Sequence, residues 1–192
     1  IHSRNHLGGM DHEIYTTTYT GKPLSVVRRH DNGEGDSITF SLNYTYDHAE
    51  RLMQLTHSLN GAEPVVLESV TYDELGRKAT SVSGNLSTSY DYDVHGWLQR
   101  IENSRFVQEL RYADSDMPCF NGNISAIVWG DNAGVTRQYG YAYDNLNRLT
   151  AASYIESGRD YLGDVMMDNQ HDYSTSYRYA LNGNPTKVSR YD

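Results

Sequence analysis

His2, His6 and His12 stand near Asp11 at the start of the chain, and imidazole with carboxylate is a donor set for zinc and related metals. His2 and His6 are spaced like the two histidines of a helical His-Glu-x-x-His site. The Glu is absent, however, and Gly8-Gly9 argues against a helix there. A solvated terminus without a metal is expected. Asp160, Asp164, Asp168 and Asp172 recur every four residues around Arg159, Met166, Met167 and His171. On a helix they would share a face and could collect Ca²⁺, but carboxylates at that spacing repel one another and no Asp-x-Asp-x-Asp-Gly loop is present. A surface insertion is the better expectation. No Gly-x-Ser-x-Gly elbow and no phosphate-binding Gly-rich loop with Lys occurs. Cys119, between Pro118 and Phe120, has no evident base or helix N-terminus to activate it. These residues predict no catalytic site, no metal and no cofactor.

What the sequence repeats is tyrosine, which outnumbers phenylalanine 17 to 3. Tyr90-Asp91-Tyr92-Asp93-Val94-His95-Gly96-Trp97-Leu98 returns as Tyr141-Ala142-Tyr143-Asp144-Asn145-Leu146-Asn147-Arg148-Leu149 and as Tyr44-Thr45-Tyr46-Asp47-His48-Ala49-Glu50-Arg51-Leu52. A shorter copy is Thr71-Tyr72-Asp73-Glu74-Leu75-Gly76-Arg77-Lys78, with worn versions at Leu110-Arg111-Tyr112 and Tyr177-Arg178-Tyr179 before Gly183. Tyrosines two apart lie on one face of a strand. The Asp opens a type I turn, its carboxylate accepting backbone N–H bonds, and Gly closes it where φ is positive, as in a G1-bulge hairpin. Asn147 suits the same left-handed position; Glu50 does not, so that hairpin is expected to use another loop geometry. The Arg after the turn (Arg51, Arg77, Arg148) is expected to lie across a neighbouring strand's Tyr or to reach the turn Asp. Tyr46, Tyr72, Tyr92, Tyr143 and Tyr179 are read as cross-strand packing residues, the alternative being a ladder that stacks on sugar rings.

The Tyr-x-Tyr-Asp-x-x-Gly-Arg-Leu unit resembles the YD repeat of the Rhs (rearrangement hotspot) family of bacterial proteins, also present in teneurin-type surface proteins. The resemblance covers most of residues 40–192. It implies a shell-forming scaffold rather than an enzyme, secreted or at the cell surface, in which hairpins wind as a spiral around a cavity. The family often releases its cargo by cleavage at Asp-Pro-x-Gly motifs; this chain has no Asp-Pro, so that activity is not expected here.

Around these units the text alternates as strands do. Ser37 to Tyr46 places Ile38, Phe40, Leu42, Tyr44 and Tyr46 on one face and polar residues on the other. Asn-Gly at Asn32, Asn60, Asn121 and Asn182 adds hairpin signals. Apart from a short stretch within 158–168, no segment reads as a helix longer than two turns. The expected fold is all-β: consecutive antiparallel β-hairpins in one long, curved, spiralling sheet, a partial shell. Residues 1–12 are expected to be irregular, and 13–192 to form the repeat region, with insertions near 113–122 and 156–172. Repeat tyrosines at unequal steps exclude a strict solenoid but suit hairpins that pair mainly with their neighbours.

Composition agrees. Charged residues are 21% and the hydrophobic set 38%, so a thick core is excluded while strand formers abound. Tyrosine suits a partly wet sheet, its ring packing while its hydroxyl seeks a partner. A net charge of −9 argues against nucleic acid or an anionic membrane surface as partner. No apolar run approaches the ~20 residues of a membrane span, and no signal peptide is visible. The start at Ile1 and the closing Ser189-Arg190-Tyr191-Asp192, which reads as another repeat beginning, suggest an excerpt of a longer protein. The expected function is a shell segment that encloses or carries a toxin-like cargo domain of the same polypeptide. The alternative is a repeat module binding a glycan or a surface protein.

Overall fold

Alternation and turn chemistry translate directly into strands. In the computed structural model, which describes residues 1–115, 117–130, 135–159, 165–168 and 173–191, all regular structure is β, with no helix among the described residues. The chain divides into two units, Ile1–Ser87 and Thr88–Asp192.

The first unit holds β1 (His2–Arg4), β2 (Met10–Thr17), β3 (Pro23–Asp31), β4 (Ser37–Tyr46), β5 (Leu52–Leu59), β6 (Val65–Tyr72) and β7 (Lys78–Ser83). Each pairs antiparallel with the next in the chain. β8 (Leu86–Tyr92) begins at the end of the first unit and runs into the second, which continues with β9 (Leu98–Asn103), β10 (Val107–Arg111), β11 (Ala126–Gly130), β12 (Thr136–Tyr143), β13 (Leu149–Arg159), β14 (Val165–Asp168), β15 (Thr175–Tyr179) and β16 (Pro185–Arg190). Consecutive strands again pair antiparallel, except that β13 has two partners on one side. Its distal end pairs with β14 and its proximal end, at Ala151 and Ala152, with β15. Consecutive antiparallel hairpins are therefore the architecture of both units.

Two stretches differ from expectation. Residues 1–12 are not irregular: β1 and the start of β2 form a hairpin in which His2, Ser3 and Arg4 face His12, Asp11 and Met10. Its loop is closed by Asn5, whose side-chain oxygen accepts the N–H groups of Leu7 and Gly9 at 3.1 and 3.0 Å while Gly8 takes φ 87°. The pattern was invisible because Asn stands where the repeat has Asp. The stretch 156–172 is not a plain interruption either. β13 runs on through Arg159 and β14 returns beside it, Asp168 opposite Glu156, so pairing to an existing edge overrides any helical spacing of the aspartates. Asp160, Asp164 and Asp172 lie outside the described residues.

The sheets are one layer thick, and their interior is correspondingly small. Val26, Val70, Tyr112, Ala126 and Ala152 are the buried hydrophobic residues, joined by Ser58, Ser81 and Ser125. β4 shows the consequence: Leu42, Tyr44 and Tyr46 are half-buried while Asn43 and Thr45 between them are exposed. With so little side-chain burial, cohesion must come from backbone ladders and from what ties one hairpin to the next.

Candidate functional site: the Asp–Arg–Tyr corners

The repeat corner is one loop used many times. At Asp47 the N–H of Glu50 donates to the Asp47 carbonyl (3.0 Å) and the Asp47 N–H to the Arg51 carbonyl (3.0 Å), a type I turn closed by a left-handed residue. Asp73, Asp93 and Asp144 repeat both bonds at 2.8–3.0 Å. The carboxylate does the remaining work. Asp47 Oδ1 accepts the N–H groups of Ala49 and Arg51 at 2.9 and 2.8 Å. Asp73 does so from Leu75 and Arg77, Asp93 from His95 and Trp97, and Asp144 from Leu146 and Arg148. Oδ2 takes the guanidinium: Nε of Arg51, Arg77 and Arg148 lies 2.7 Å from Asp47, Asp73 and Asp144 respectively.

These donors set the charge state. Arg51's backbone N–H, then its guanidinium, holds Asp47 below the ordinary carboxylate range, and Arg148 does the same for Asp144. At Asp73 and Asp93 partial burial pulls the other way, but the N–H bonds from Arg77 and Trp97 with their neighbours outweigh it, and both carboxyls are lowered. All four are anions held in place by the turn they shape.

The closing residue is left-handed as expected at Gly76 (φ 81°), Gly96 (87°), Asn147 (60°) and Gly183 (88°). Glu50 corrects the sequence reading: it takes φ 57° and keeps the common loop rather than another one. Its unfavourable backbone is held from the preceding corner. Thr20 Oγ1 donates to the Glu50 carboxylate at 2.8–2.9 Å, and Lys22 Nζ reaches its main-chain carbonyl at 2.6 Å. That corner, at Thr18, uses the Thr hydroxyl to accept the Lys22 N–H (3.0 Å). The Ala180 corner keeps the backbone bonds, and Asn182 Oδ1 accepts the Asn184 N–H (3.2 Å) in place of an Asp.

Each corner also ends in the same irregularity. The register shifts between Thr45 and Tyr46, Thr71 and Tyr72, Asp91 and Tyr92, Ala142 and Tyr143, and Arg178 and Tyr179, always at the repeat tyrosine. The bulge turns that tyrosine's ring toward the preceding hairpin. At Tyr46, Tyr72, Tyr112, Tyr143 and Tyr179 the hydroxyl donates to a main-chain carbonyl at or just before the start of the return strand. Tyr46 reaches Pro23 and Tyr72 reaches Leu52, at 2.8 and 2.9 Å. In the second unit Tyr112 reaches Leu98, Tyr143 reaches Ile124 and Tyr179 reaches Leu149, at 3.0, 2.8 and 2.8 Å.

Over that ring lies the cation of the preceding corner. The Arg51 guanidinium carbon is 4.5 Å from the Tyr72 ring centre and Arg148's is 4.7 Å from Tyr179's. The arginine thus performs both roles the sequence allowed it, bonding its own Asp and covering the next Tyr. It also touches the next corner's closing residue. A Cβ on Gly76 would lie 2.4 Å from Arg51 Nη1, so glycine there answers both to φ and to a neighbour.

The sequence hid one corner completely. Residues 113–122 read as an insertion, yet Gly122 (φ 89°), Asn123 and Ile124 occupy the Gly-Arg-Leu places behind an enlarged loop. Trp97, in the arginine place of the Asp93 corner, tilts against Tyr112 at 4.9 Å and lies where a Cβ on Gly122 would sit, 3.1 Å from its Cζ2. Asn123 Nδ2 in turn reaches Asn147 Oδ1 at 3.3 Å, with Asn121 on the same oxygen at 2.6 Å. Asn121-Gly122 signalled a reversal, but as a repeat corner it was marked only by Gly-x-Ile after a tyrosine, too weak without its neighbours. Cys119 is partly covered within this loop, its N–H donating to the Tyr112 carbonyl at 2.7 Å.

Also unforeseen is an aromatic cluster on the tyrosine face of the second unit. Trp129, Tyr139 and Tyr154 contact one another at ring separations of 5.1–6.3 Å, with Tyr141 and the exposed Tyr173 alongside. Tyr154 is pushed up to about 12 by burial and by its 2.6 Å bond to Glu156, which also pairs with Arg137. Among the described residues no three His, Cys, Asp or Glu side chains come together as a metal-binding group, and no helix is long and apolar enough to cross a membrane. No known protein-family model matches the chain, and no curated protein matches its sequence.

Proposed function

We propose that this chain is a wall segment of an Rhs-like β shell, which encloses or carries a toxin-like cargo domain of the same polypeptide. The observation that supports it best is the set of bonds by which Tyr46, Tyr72, Tyr112, Tyr143 and Tyr179 each hold the carbonyl that opens the return strand before it. Such bonds make a sheet with almost no core hold together hairpin by hairpin, as a wall must, and they put the specialised residues into structure. The mechanism would be containment, keeping a folded or partly folded cargo from solvent and proteases outside the producing cell or at its surface. Limited proteolysis of the natural, full-length polypeptide tests it. A non-repetitive segment should resist digestion while the wall is intact and become sensitive when Gly76→Val and Gly96→Val loosen the corners. Equal sensitivity before and after overturns the reading.

A second reading, a module that binds a glycan or a surface protein, draws on the Trp129–Tyr139–Tyr154–Tyr173 cluster. It predicts saturable retention on a glycan array that is lost in Trp129→Ala.

A further inference from the structure

We propose that His2 and His12 form a two-histidine site for zinc. The nine residues between them fit no ligand motif, and it is the first hairpin that makes them register partners on β1 and β2, side by side on one face. Their Nδ1 atoms converge to 2.5 Å and their rings stand at 86° with centres 4.4 Å apart. A ring nitrogen of one is within hydrogen-bond reach of a ring nitrogen of the other. A tetrahedral zinc with Zn–N bonds of ~2.0–2.1 Å holds two ligand nitrogens about 3.3 Å apart. A small swing of each ring therefore admits the ion, both nitrogens still aimed at one point. His2 is exposed and His12 half-buried, and the other two positions fall to water.

Neighbouring groups do not compete for the place. Asp11 belongs to the opposite face and is engaged by His30 at 2.6 Å and Asn5 at 3.2 Å. His6 sits in the loop beyond β1, apart from the pair. Bound zinc would clip β1, only three residues long, onto β2 and fix the first strand of the unit.

Zinc titration by calorimetry in a non-chelating neutral buffer tests this. One saturable ion per chain is expected, retained in His6→Gln and His30→Gln and lost in His2→Gln and His12→Gln. Binding that survives in His12→Gln overturns the proposal, as does an absence of binding by the unmodified chain. A readout without substitutions is the pair of imidazole proton resonances: those of His2 and His12 must shift together along the titration, and a shift of one alone is equally fatal.

Discussion

The hydroxyl of Tyr72 donates to the main-chain carbonyl of Leu52, the residue that faces Tyr46 across the previous corner. Tyr46 makes the same bond one hairpin earlier, to Pro23, which faces Thr17. Two successive repeats are thus each fastened to the closing pair of the one before, and the consequences can be measured.

Tyr72→Phe removes the hydroxyl and little else, so it should cost about 0.5–1.5 kcal/mol, the net worth of one hydrogen bond. The urea midpoint reads it. Tyr19, exposed at the tip of a loop, serves as the comparison, and Tyr19→Phe should leave the midpoint unchanged. Equal effects of the two would dismiss the staple.

Gly76→Val places a β-branched residue at φ 81° and drives a Cβ into Arg51 Nη1, and should cost about 1–3 kcal/mol. Gly140→Ala has neither problem, with no atom within 4 Å of the added Cβ, and should stay within about 0.5 kcal/mol of wild type. Thermal unfolding of both variants separates corner glycines from the merely tolerated one.

Asp47, Asp73, Asp93 and Asp144 all have carboxyls lowered from 3.8 in the folded chain. Their contribution is present in full above that value and is lost as the pH falls from it through the lowered folded values, because the unfolded chain takes up protons first. Stability should therefore drop below pH ~4. Asp144→Asn should be less stable at neutral pH and show a shallower acid loss; parallel curves for variant and wild type would contradict this.

Tyr154 moves the opposite way. Raised from 10.0 to about 12 by burial and the Glu156 bond, it favours the folded chain fully below pH 10, an advantage lost as the pH climbs through 12. An ultraviolet titration of tyrosinate should contain a late component that Tyr154→Phe removes and Glu156→Gln shifts to lower pH.

Much of the fold was readable in order along the chain, because its decisive events are local. The Asp47, Asp73, Asp93 and Asp144 turns close within five residues through bonds between an Asp and its own successors, and alternation set Ser37–Tyr46 to the residue. Locality also explains the misses. Asn5 and Thr18 perform the Asp task with another oxygen, and Glu50 looks wrong for a left-handed site until Thr20 and Lys22 of the previous corner are beside it.

From the sequence alone came the all-β train of hairpins and the positions of its Asp corners, with each Arg left between its own Asp and a neighbouring Tyr, since these depend on neighbours a few bonds away. Only the tertiary structure decided what each tyrosine hydroxyl grips, that Gly122-Asn123-Ile124 completes a corner behind a long loop, and that His2 meets His12. Those depend on which strands lie side by side and where each bulge shifts the register. A register is a property of two segments brought together, so neither one carries it by itself.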